Sequence, residues 1–501
     1  MAGALNVIDK IVGFFSPEAA CARAYYREAL RNYDAGRLDR YGSWIPPRNA
    51  TPEETDAPYR SLIRGRARDL ERNNDVTQGI IGSLQRNVVG SGIHPQSLAS
   101  DYKDRIAELW DDWIKKENCD ITGCSTFYKL QKMFVRRMHV DGEILCLFAV
   151  RGSGPIPLQL QMIEPDLLAE EVIKYEPGVN KVHGGVEVDD YMRPVAYHFH
   201  LDPLTWEVTR VPAQRVLHSF DKTRPQQVRG ISRLAAPMER VRDIGEYIDS
   251  ELKAARTAAA STGIVKTAKG AASAIMRQQK KADGPPIQEI HPGTMNYLQP
   301  EEDIEFPPPG RPNVNAAGFI SAIMRFIGLS TGLSYEQTAR DLSKVNYSSA
   351  RQGYLEDQRT YKEWQEDLVN DFCQPVYELF LDTAVLTGAL VIPDYWYERK
   401  RYVKARWVTP GWSWIDPQKE AAAGAILLET GLTTREELCG NRGKNWREVM
   451  DQLKEEQDYA GEIGLELGAP DVSTIDTGEE VSDGKAEETK GEPLGDDDDE
   501  E

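Results

Sequence analysis

The chain has 501 residues, of which 40% are hydrophobic and 28% are charged, which is enough apolar material for roughly two to four folded domains. It contains no apolar stretch of about 18 residues and six scattered cysteines, which excludes a membrane-spanning protein and a small disulfide-rich one. The formal net charge is −20, but fourteen acidic residues against Lys485 and Lys490 place −12 of it in residues 470–501. The body is therefore mildly acidic, without the basic excess of a protein that binds duplex DNA tightly.

The first half of the sequence predicts an arm followed by a mixed α/β region. Residues 1–58 are polar and proline-rich and lack the regions of a signal peptide, so we expect an irregular arm and synthesis in a reducing cytoplasm. Helical periodicity begins near Tyr59, and a further helix is predicted over 101–117. Short β-type runs such as "EILCLFAV" and "PVAYHFHLD" follow, so residues 59–230 read as one α/β region.

The longest regular pattern lies at 231–259, where apolar residues recur in steps of three and four. Such a seam is typical either of an ordinary core helix or of a helix packed beside copies of itself in a ring. Pro237 should kink this helix or lie close to its true start. The candidate packing residues are Ile231, Leu234, Met238, Val241, Ile248 and Leu252.

The second half alternates inserts and helices. Residues 260–312 contain a strand-like "STGIVKT", a polar excursion and two further strand-like runs around a Pro-Gly turn. An apolar helix is predicted at 313–329 and a polar loop at 330–349. A long amphipathic helix from about 350 to 388 opens the region 350–415. Two or three short helices are predicted at 416–465, and the acidic residues 466–501 predict a disordered tail.

Motifs for enzymatic chemistry are weak. "GNRGKN" at 440–445 has the wrong spacing for a phosphate-binding loop, and Ser348 and Ser349 lack the glycines of a hydrolase elbow. His198, His200 and Asp202 would share one face of a strand and could hold a metal, although an alternating polar face explains them as well.

The stretch "DLSKVNYSSARQGYLED" is better explained by geometry. "SARQ" predicts a capping box in which Ser349 is the N-cap and Gln352 reaches back to it. The preceding loop carries Arg340, Lys344 and Asn346, which are candidate contacts to a DNA backbone if a ring repeats them, and ordinary solvated residues otherwise. Small and polar residues are expected to keep this loop pliable: Ser330, Thr331, Gly332, Ser334 and Thr338.

A family resemblance appears when the segments are taken together. "RARDLERNN", "NVVGSGI", "LQLQMIEPDLL", "GVEVDDYMRPVAYHF", "VPAQRVLHSF", "VRGISRLAAPMERV", "PPPGRPN", "DLSKVNYSSARQGYLE" and "SWIDPQKEAAAGAILLETGLTTREE" occur in this order from about residue 60 to 440. This series resembles the lambda-type family of phage portal proteins. The most telling elements are "NYSSAR" and "IDPQKE"; the family's usual Gly and Asp-Trp ending is replaced by "GNRGKNW".

The resemblance implies an α+β portal-type fold assembled as a dodecameric ring at one capsid vertex, through which double-stranded DNA is packaged, retained and ejected. It implies as partners a terminase large subunit, a head–tail connector or adaptor, and capsid and scaffold proteins. It implies no cofactor, metal, membrane or enzymatic activity, and assembly into virions in the bacterial cytoplasm. The segments would then be the wing (59–230), first stem helix (231–259), clip (260–312), second stem helix (313–329), tunnel loop (330–349), wing-crossing region (350–415) and crown side (416–465).

Two alternatives stay open at the level of sequence. The first is a metal-dependent DNA-processing enzyme that uses His198, His200 and Asp202. The second is a virion scaffold or tail protein without a channel.

Overall fold

The computed structural model describes residues 50–152, 154–172, 180–202, 204–260, 264–267, 302–305, 315–343, 347–412 and 417–465. Most of the predicted arm, most of the predicted clip and the acidic tail lie outside the described residues. The chain divides into two compact units, one ending at Pro410 and the other beginning at Gly411.

The first unit begins with a helix that starts earlier than predicted. Helix α1 (Pro52–Asn73) is capped by Thr51, whose side chain accepts from the Glu54 N–H while the Glu54 carboxylate accepts from the Thr51 N–H at 2.9 Å. Pro52 occupies the first helical turn, where its missing N–H costs nothing. The predicted start at Tyr59 is therefore wrong, because a proline that reads as a loop signal here initiates a helix.

The remaining helices of this unit pack around small antiparallel sheets. Asn74 ends α1 and caps the helix that follows it, α2 (Asp75–Leu84). A π-helical turn extends α2 over Gln85–Val89, and another follows α9 over Val369–Cys373. The helices after α1 are α2 (Asp75–Leu84), α3 (Lys103–Trp113), α4 (Lys116–Cys119), α5 (Phe127–Val140), α6 (Met238–Ala260), α7 (Ala316–Thr331), α8 (Tyr335–Ala339), α9 (Tyr347–Leu368), α10 (Gln374–Leu386) and α11 (Arg399–Tyr402).

In the described ranges the strands form four antiparallel sheets. Their ranges are β1 (His94–Ser97), β2 (Glu143–Val150), β3 (Leu158–Ile163), β4 (Lys181–His183), β5 (Val186–Val188), β6 (Pro194–His200), β7 (Val208–Pro212), β8 (Val216–Phe220), β9 (Ile264–Thr267), β10 (Glu302–Glu305) and β11 (Ala405–Val408). The strand orders are β3-β2-β8, β4-β5-β6-β7, β1-β11 and β9-β10. In the last sheet Ile264 pairs with Glu305 and Thr267 with Glu302. The mixed α/β region and a strand near Ile264 were thus predicted correctly.

Several buried clusters hold the described part of the first unit together, and two of them involve the sheets and the aromatic side chains. One lies between the two larger sheets and contains Leu145, Ile163, Tyr197 and Phe199, all nearly inaccessible to solvent. The other is aromatic and centres on Trp110, which meets the rings of α5 and α10 edge-on, and the indole N–H of Trp113 donates to the carbonyl of Leu158 at 2.8 Å. Such edge-to-face contacts and a paired indole N–H are how large aromatic rings are buried at low cost.

The predicted stem helix begins where proline allows it. A 3₁₀ turn covers Arg233–Ala235, and α6 starts at Met238 directly after Pro237, whose carbonyl accepts from the N–H of Val241 at 2.9 Å. The alternative in which Pro237 marks the true start is therefore confirmed. Ile231 and Leu234 precede the helix rather than lying on it.

The described part of the second unit contains three helices: α12 (Pro417–Glu429), α13 (Arg435–Asn441) and α14 (Trp446–Glu462). Thr434 caps α13 and Asn445 caps α14 through their side chains. No helix in the described ranges combines the length and apolar content that crossing a bilayer requires.

Candidate nucleic-acid interface

The candidate interface is the α7–α9 connection, residues 332–343, which leaves the C-terminus of α7. Gly332 ends α7 in the left-handed conformation with φ of 72°, and its N–H donates to the carbonyl of Gly328. A Cβ at this position would lie 3.2 Å from the Cγ2 atom of Thr360. Thr360 instead donates its hydroxyl to the Gly332 carbonyl at 2.8 Å. Glycine is therefore required both by the backbone conformation and by the approach to α9.

Asp357 of α9 anchors the start of α8. Its carboxylate accepts from the Ser334 N–H at 2.7 Å and from the Ser334 hydroxyl at 2.6 Å. The Ser334 oxygen also accepts from the Gln337 N–H, so the same side chain caps α8. Burial raises the pKa of Asp357, while the two bonds from Ser334 act against this rise. Ser334 thus joins a helix cap to a buried carboxylate.

In the part that the structure describes, a short helix stands where an open polar loop was predicted, and the small polar residues expected to keep it pliable are hydrogen-bonded. Thr338 donates to the Ser334 carbonyl, and Ser330 and Thr331 donate to carbonyls of the last turn of α7. Their hydroxyl groups donate hydrogen bonds to local backbone carbonyls, as short polar side chains do when a nearby acceptor is free. The connection is a short helix tied to α9, and not an open loop.

Arg340 lies at the tip of this anchored connection. It ends α8 with φ of 52°, a left-handed conformation that is uncommon for a residue with a side chain. Its side chain is exposed, and among the described residues no carboxylate forms an ion pair with it. Asp341 beside it is engaged, because it accepts from the Ser343 hydroxyl at 2.6 Å and from the Tyr335 hydroxyl at 3.2 Å. Lys344 and Asn346, the other two predicted DNA contacts, lie outside the described residues.

The predicted capping box at the start of α9 is wrong. The helix begins at Tyr347, so Ser349 lies within its first turn and not at the N-cap. The side chain of Gln352 donates to Glu356 at 3.4 Å, one turn further along the helix. A serine is tolerated in the first turn because the N–H groups there have no intrahelical acceptor. The sequence signal therefore indicated the right region for the helix start but the wrong residue as its cap.

A cavity of about 190 Å³ lies beside the connection, between the wing and the two predicted stem helices. Arg233 crosses it with its guanidinium 3.6 Å from the ring centre of Trp364. Burial lowers the pKa of His139 to about 4, and the positive charge of Arg233 acts in the same direction. The cavity is lined by Ile80, Ile81, Leu84, Leu234, Thr331 and Glu363, among others. The end of α7, including Gly332 and its partner Thr360, therefore lines this cavity.

The predicted stem-packing residues divide into two groups. Leu234 and Met238 are buried in a cluster with Tyr59 and Ile63 of α1, and Val241 is buried as well, so these residues fix the stem to its own wing. Ile248 and Leu252 are 41% and 47% exposed on α6. Ile231 is partly buried against the same cluster as Leu234. Only the distal part of the seam remains accessible to a second copy.

The alternative metal site receives no support from the described side chains. His198 lies 3.3 Å from the Glu187 carboxylate, which also pairs with Arg210. His200 contacts Glu171 and the carbonyl of Trp206. Asp202 instead accepts from the N–H of Leu204 in the following turn, and no group of three potential ligands occurs in the described parts of the chain.

A buried ionic cluster was missed by the sequence reasoning. Glu143 and Arg229 are both inaccessible to solvent and are joined by guanidinium bonds of 2.7 and 2.8 Å. Although burial alone would raise the pKa of Glu143, Arg229 and His218 hold it well below its usual value. The N–H of Gly230 also donates to this carboxylate at 2.9 Å. The one signal in the sequence that could have revealed this cluster is Glu143, a lone carboxylate at the start of the apolar strand "EILCLFAV".

The cluster ties α1 and β2 to the segment that leads into α6. Arg64 of α1 lies 3.7 Å from Glu143, and Arg229 reaches Glu170 and the carbonyl of Gly184. A Cβ on Gly230 would lie 2.1 Å from the carbonyl oxygen of Gly142, so the two backbones are in direct contact. Charge and close backbone packing therefore fix the position of Arg229 and Gly230, from which the chain runs into α6.

Comparison with known proteins shows which family and which relatives this chain resembles. Residues 37–365 match the family model described as phage portal protein, lambda family. The chain is 28% identical over 415 residues to a probable portal protein of Halomonas phage phiHAP-1, covering 79% of each chain. It is 21% identical over 504 residues to portal protein B of Escherichia phage lambda, covering 89% of this chain and 93% of the relative.

Similar solved structures come from gene transfer agent (GTA) particles. A chain from the neck of an empty GTA particle has 11% identity and a TM-score of 0.43, covering 75% of this chain and 93% of its own length. A chain from the virion of a native GTA particle has 12% identity and a TM-score of 0.42, covering 76% and 97%.

The α+β architecture and the matched segments define a structural protein of the virion. Because the family model covers well over half of the chain, the protein belongs to the lambda family of phage portal proteins. The function predicted from the sequence is thereby confirmed at this level.

Proposed function

We propose that twelve copies of this protein form a ring around a channel for double-stranded DNA at one capsid vertex. The observation that carries this proposal is the placement of Arg340, an exposed cation at the tip of a connection that Asp357 and Thr360 hold against α9. One such residue binds phosphate weakly. A ring repeats it in every copy, and duplex DNA carries one charge per about 1.7 Å of its axis.

The mechanism follows from charge and anchoring. A channel that holds DNA tightly cannot pass it, so a mildly acidic body with a few cationic contacts suits translocation driven by a separate motor. The anchored base of the connection sets the radius at which Arg340 stands. We expect Lys344 and Asn346 to contact the DNA backbone beside Arg340.

The test removes the charge of Arg340 without disturbing the left-handed backbone conformation at this position. Arg340→Asn combined with Lys344→Ala should slow DNA packaging by severalfold or reduce DNA retention, because asparagine tolerates the left-handed conformation while the phosphate contacts are lost. Packaging is measured with purified proheads and terminase, and ring formation by negative-stain imaging.

The matched control is Arg359→Ala with Lys362→Ala, which removes two exposed cations from α9. We expect the control to package normally. Wild-type packaging by the Arg340 and Lys344 variant would contradict the DNA-facing role, and images without a central hole would contradict the ring.

We also propose that the clip docks the terminase large subunit during packaging and a head–tail connector afterwards. The paired strands β9 and β10 support this, because they bring residues 264–267 and 302–305 of the insert together. Deleting residues 268–284 should leave a ring that no longer binds terminase. Unchanged terminase binding by the deletion variant would reject this assignment.

Capsid and scaffold proteins complete the proposed partners, with assembly in the bacterial cytoplasm. Neither the metal-dependent enzyme nor the virion protein without a channel is favoured by a specific observation in the described residues.

A further inference from the structure

The cavity of about 190 Å³ beside the α7–α9 connection has the size of a small-molecule site. An apolar protein cavity of roughly 150 Å³ is large enough to bind benzene, so this space has room for a molecule of about seven or eight heavy atoms. The described residues that line it all belong to the first unit of one copy. Its occupation therefore does not depend on the proposed ring.

One part of the cavity wall is apolar. Ile80, Ile81 and Leu84 of α2 line it together with Leu234 and Trp364, and each of these residues is at most 5% exposed. Packing against such a wall removes the apolar atoms of a ligand from water, which is favourable by about 25 cal/mol per Å². This part of the cavity therefore favours a hydrocarbon body.

The uncharged polar groups of the cavity are hydrogen-bond acceptors. Ser330, Thr331 and Thr360 donate their hydroxyl hydrogens to backbone carbonyls at 2.8, 3.1 and 2.8 Å. A hydroxyl group has one hydrogen, so only oxygen lone pairs remain for a ligand. The Nδ1 atom of His139 lies 2.8 Å from the Val135 carbonyl, so the neutral imidazole carries its proton there and its Nε2 atom can only accept.

The charges around the cavity favour a cation. Glu363 lines it and is exposed, and no cation of the described residues forms an ion pair with this carboxylate. Arg233 is the other charged lining residue; Asp221 pairs with it at 3.0 Å, and the charge of Asp367 also acts on it. The cavity also meets the carbonyl end of the 16-residue helix α7, which carries a partial negative charge. Three carboxylates and a helix C-terminus thus outweigh one guanidinium.

We infer that this cavity binds a small primary ammonium compound with an apolar body of about six carbons. The hydrocarbon packs against the α2 wall. The ammonium group, which has three donors and no acceptor, pairs with Glu363 and with the acceptors at the end of α7. A carboxylate ligand would be repelled by Glu363 and would find its only charged donor in Arg233, which Asp221 already engages.

Such a ligand touches α2, α7 and α9 at once. It therefore adds a second tie between the end of α7 and α9, next to the hydrogen bond from Thr360 to the Gly332 carbonyl. We expect an occupied cavity to slow the local opening of the α7–α9 connection.

The experiment uses the full-length chain and three cyclohexyl probes of similar size. Cyclohexylamine is the cationic probe, cyclohexanol the neutral one and cyclohexanecarboxylate the anionic one. Affinity is measured by isothermal titration calorimetry at neutral pH and physiological ionic strength, which screens the general attraction of cations to an acidic protein. The site is located by hydrogen exchange of peptides covering residues 326–339.

The wild type should bind cyclohexylamine at least about tenfold more tightly than cyclohexanol, as expected for a charge-assisted contact, and cyclohexanecarboxylate more weakly than either. Saturating cyclohexylamine should slow exchange over 326–339 by about threefold or more. Glu363→Gln keeps the shape of the side chain and removes its charge, so it should weaken cyclohexylamine at least about fivefold and leave cyclohexanol unchanged.

The matched control is Glu366→Gln, which removes an exposed carboxylate of α9 that does not line the cavity. We expect this variant to bind all three probes like the wild type.

Three results would overturn the inference. The first is a wild type that does not bind cyclohexylamine, and the second is equal affinity for cyclohexylamine and cyclohexanol. The third is an equal effect of Glu363→Gln and Glu366→Gln, which would place the amine on the acidic surface in general. None of these results bears on ring formation, which the negative-stain images decide separately.

Discussion

The buried pair of Glu143 and Arg229 gives the most quantitative prediction. Arg229→Met removes guanidinium bonds of 2.7 and 2.8 Å to a carboxylate that has no access to solvent. Breaking a buried ion pair from one side costs about 3–5 kcal/mol, because the remaining charge stays buried without its partner. Glu143 keeps the Gly230 N–H at 2.9 Å and His218 at 3.1 Å, so we expect a loss of about 3 kcal/mol. In a unit of several hundred residues, with an unfolding entropy of about 2.1 cal/mol/K per residue, that lowers Tm by about 3–5 °C.

The assay is thermal and urea unfolding of the full-length protein at pH 7.5. Arg210→Met is the control, because Arg210 pairs with Glu187 while half exposed, and such a pair is worth at most about 1 kcal/mol. Arg229→Met combined with Glu143→Leu should lose less stability than Arg229→Met alone, since no unpaired carboxylate remains. Equal losses for Arg229→Met and Arg210→Met, or a double variant that shows the sum of the single losses, would refute this reasoning.

Three further predictions concern the anchor, the close backbone contact and pH. Ser334→Ala removes both the α8 cap and the bonds to Asp357, so amide exchange over 335–339 should accelerate by about tenfold; unchanged exchange would show that the anchor holds nothing. Gly230→Ala should cost at least about 2 kcal/mol because its Cβ meets backbone at 2.1 Å, whereas Gly65→Ala inside α1 meets nothing within 4 Å and should stabilise by about 0.5–1 kcal/mol. The pKa of His139 is lowered to about 4 in the folded state, so the unfolded state binds more protons between pH 6.5 and 4 and stability should fall as pH decreases through that window. His139→Gln should reduce this slope in urea titrations, with the remainder carried in part by His218, whose pKa burial also lowers.

The sequence predicted features that depend on local pattern. The heptad spacing located the helix predicted at 231–259, but the proline rule left open a kink at Pro237 or a start beside it, and the structure has the start. The order of motifs identified the family, which no single segment could have done. The errors at Tyr59 and Ser349 are both helix boundaries, where a few residues of competing cap signals decide the outcome.

The features that were missed depend on residues far apart in the chain. Asp357 anchors Ser334 from another helix, and Glu143 meets Arg229 across 86 positions. The residues next to Asp357 or Glu143 in the sequence give no indication of these distant partners. Similarly, the exposure of Ile248 but not of Val241 on the same helix face depends on how far α1 extends alongside the stem.

The pairing of β9 with β10 gives the insert a freedom that the stem lacks. Because Thr267 faces Glu302, the two ends of the insert meet at a fixed point, and the segment between them is a closed loop. Doubling the length of such a loop costs only about 0.6 kcal/mol of closure entropy. Related chains could therefore differ in the length of the segment between β9 and β10 at little cost in stability and without any change in α6 or α7.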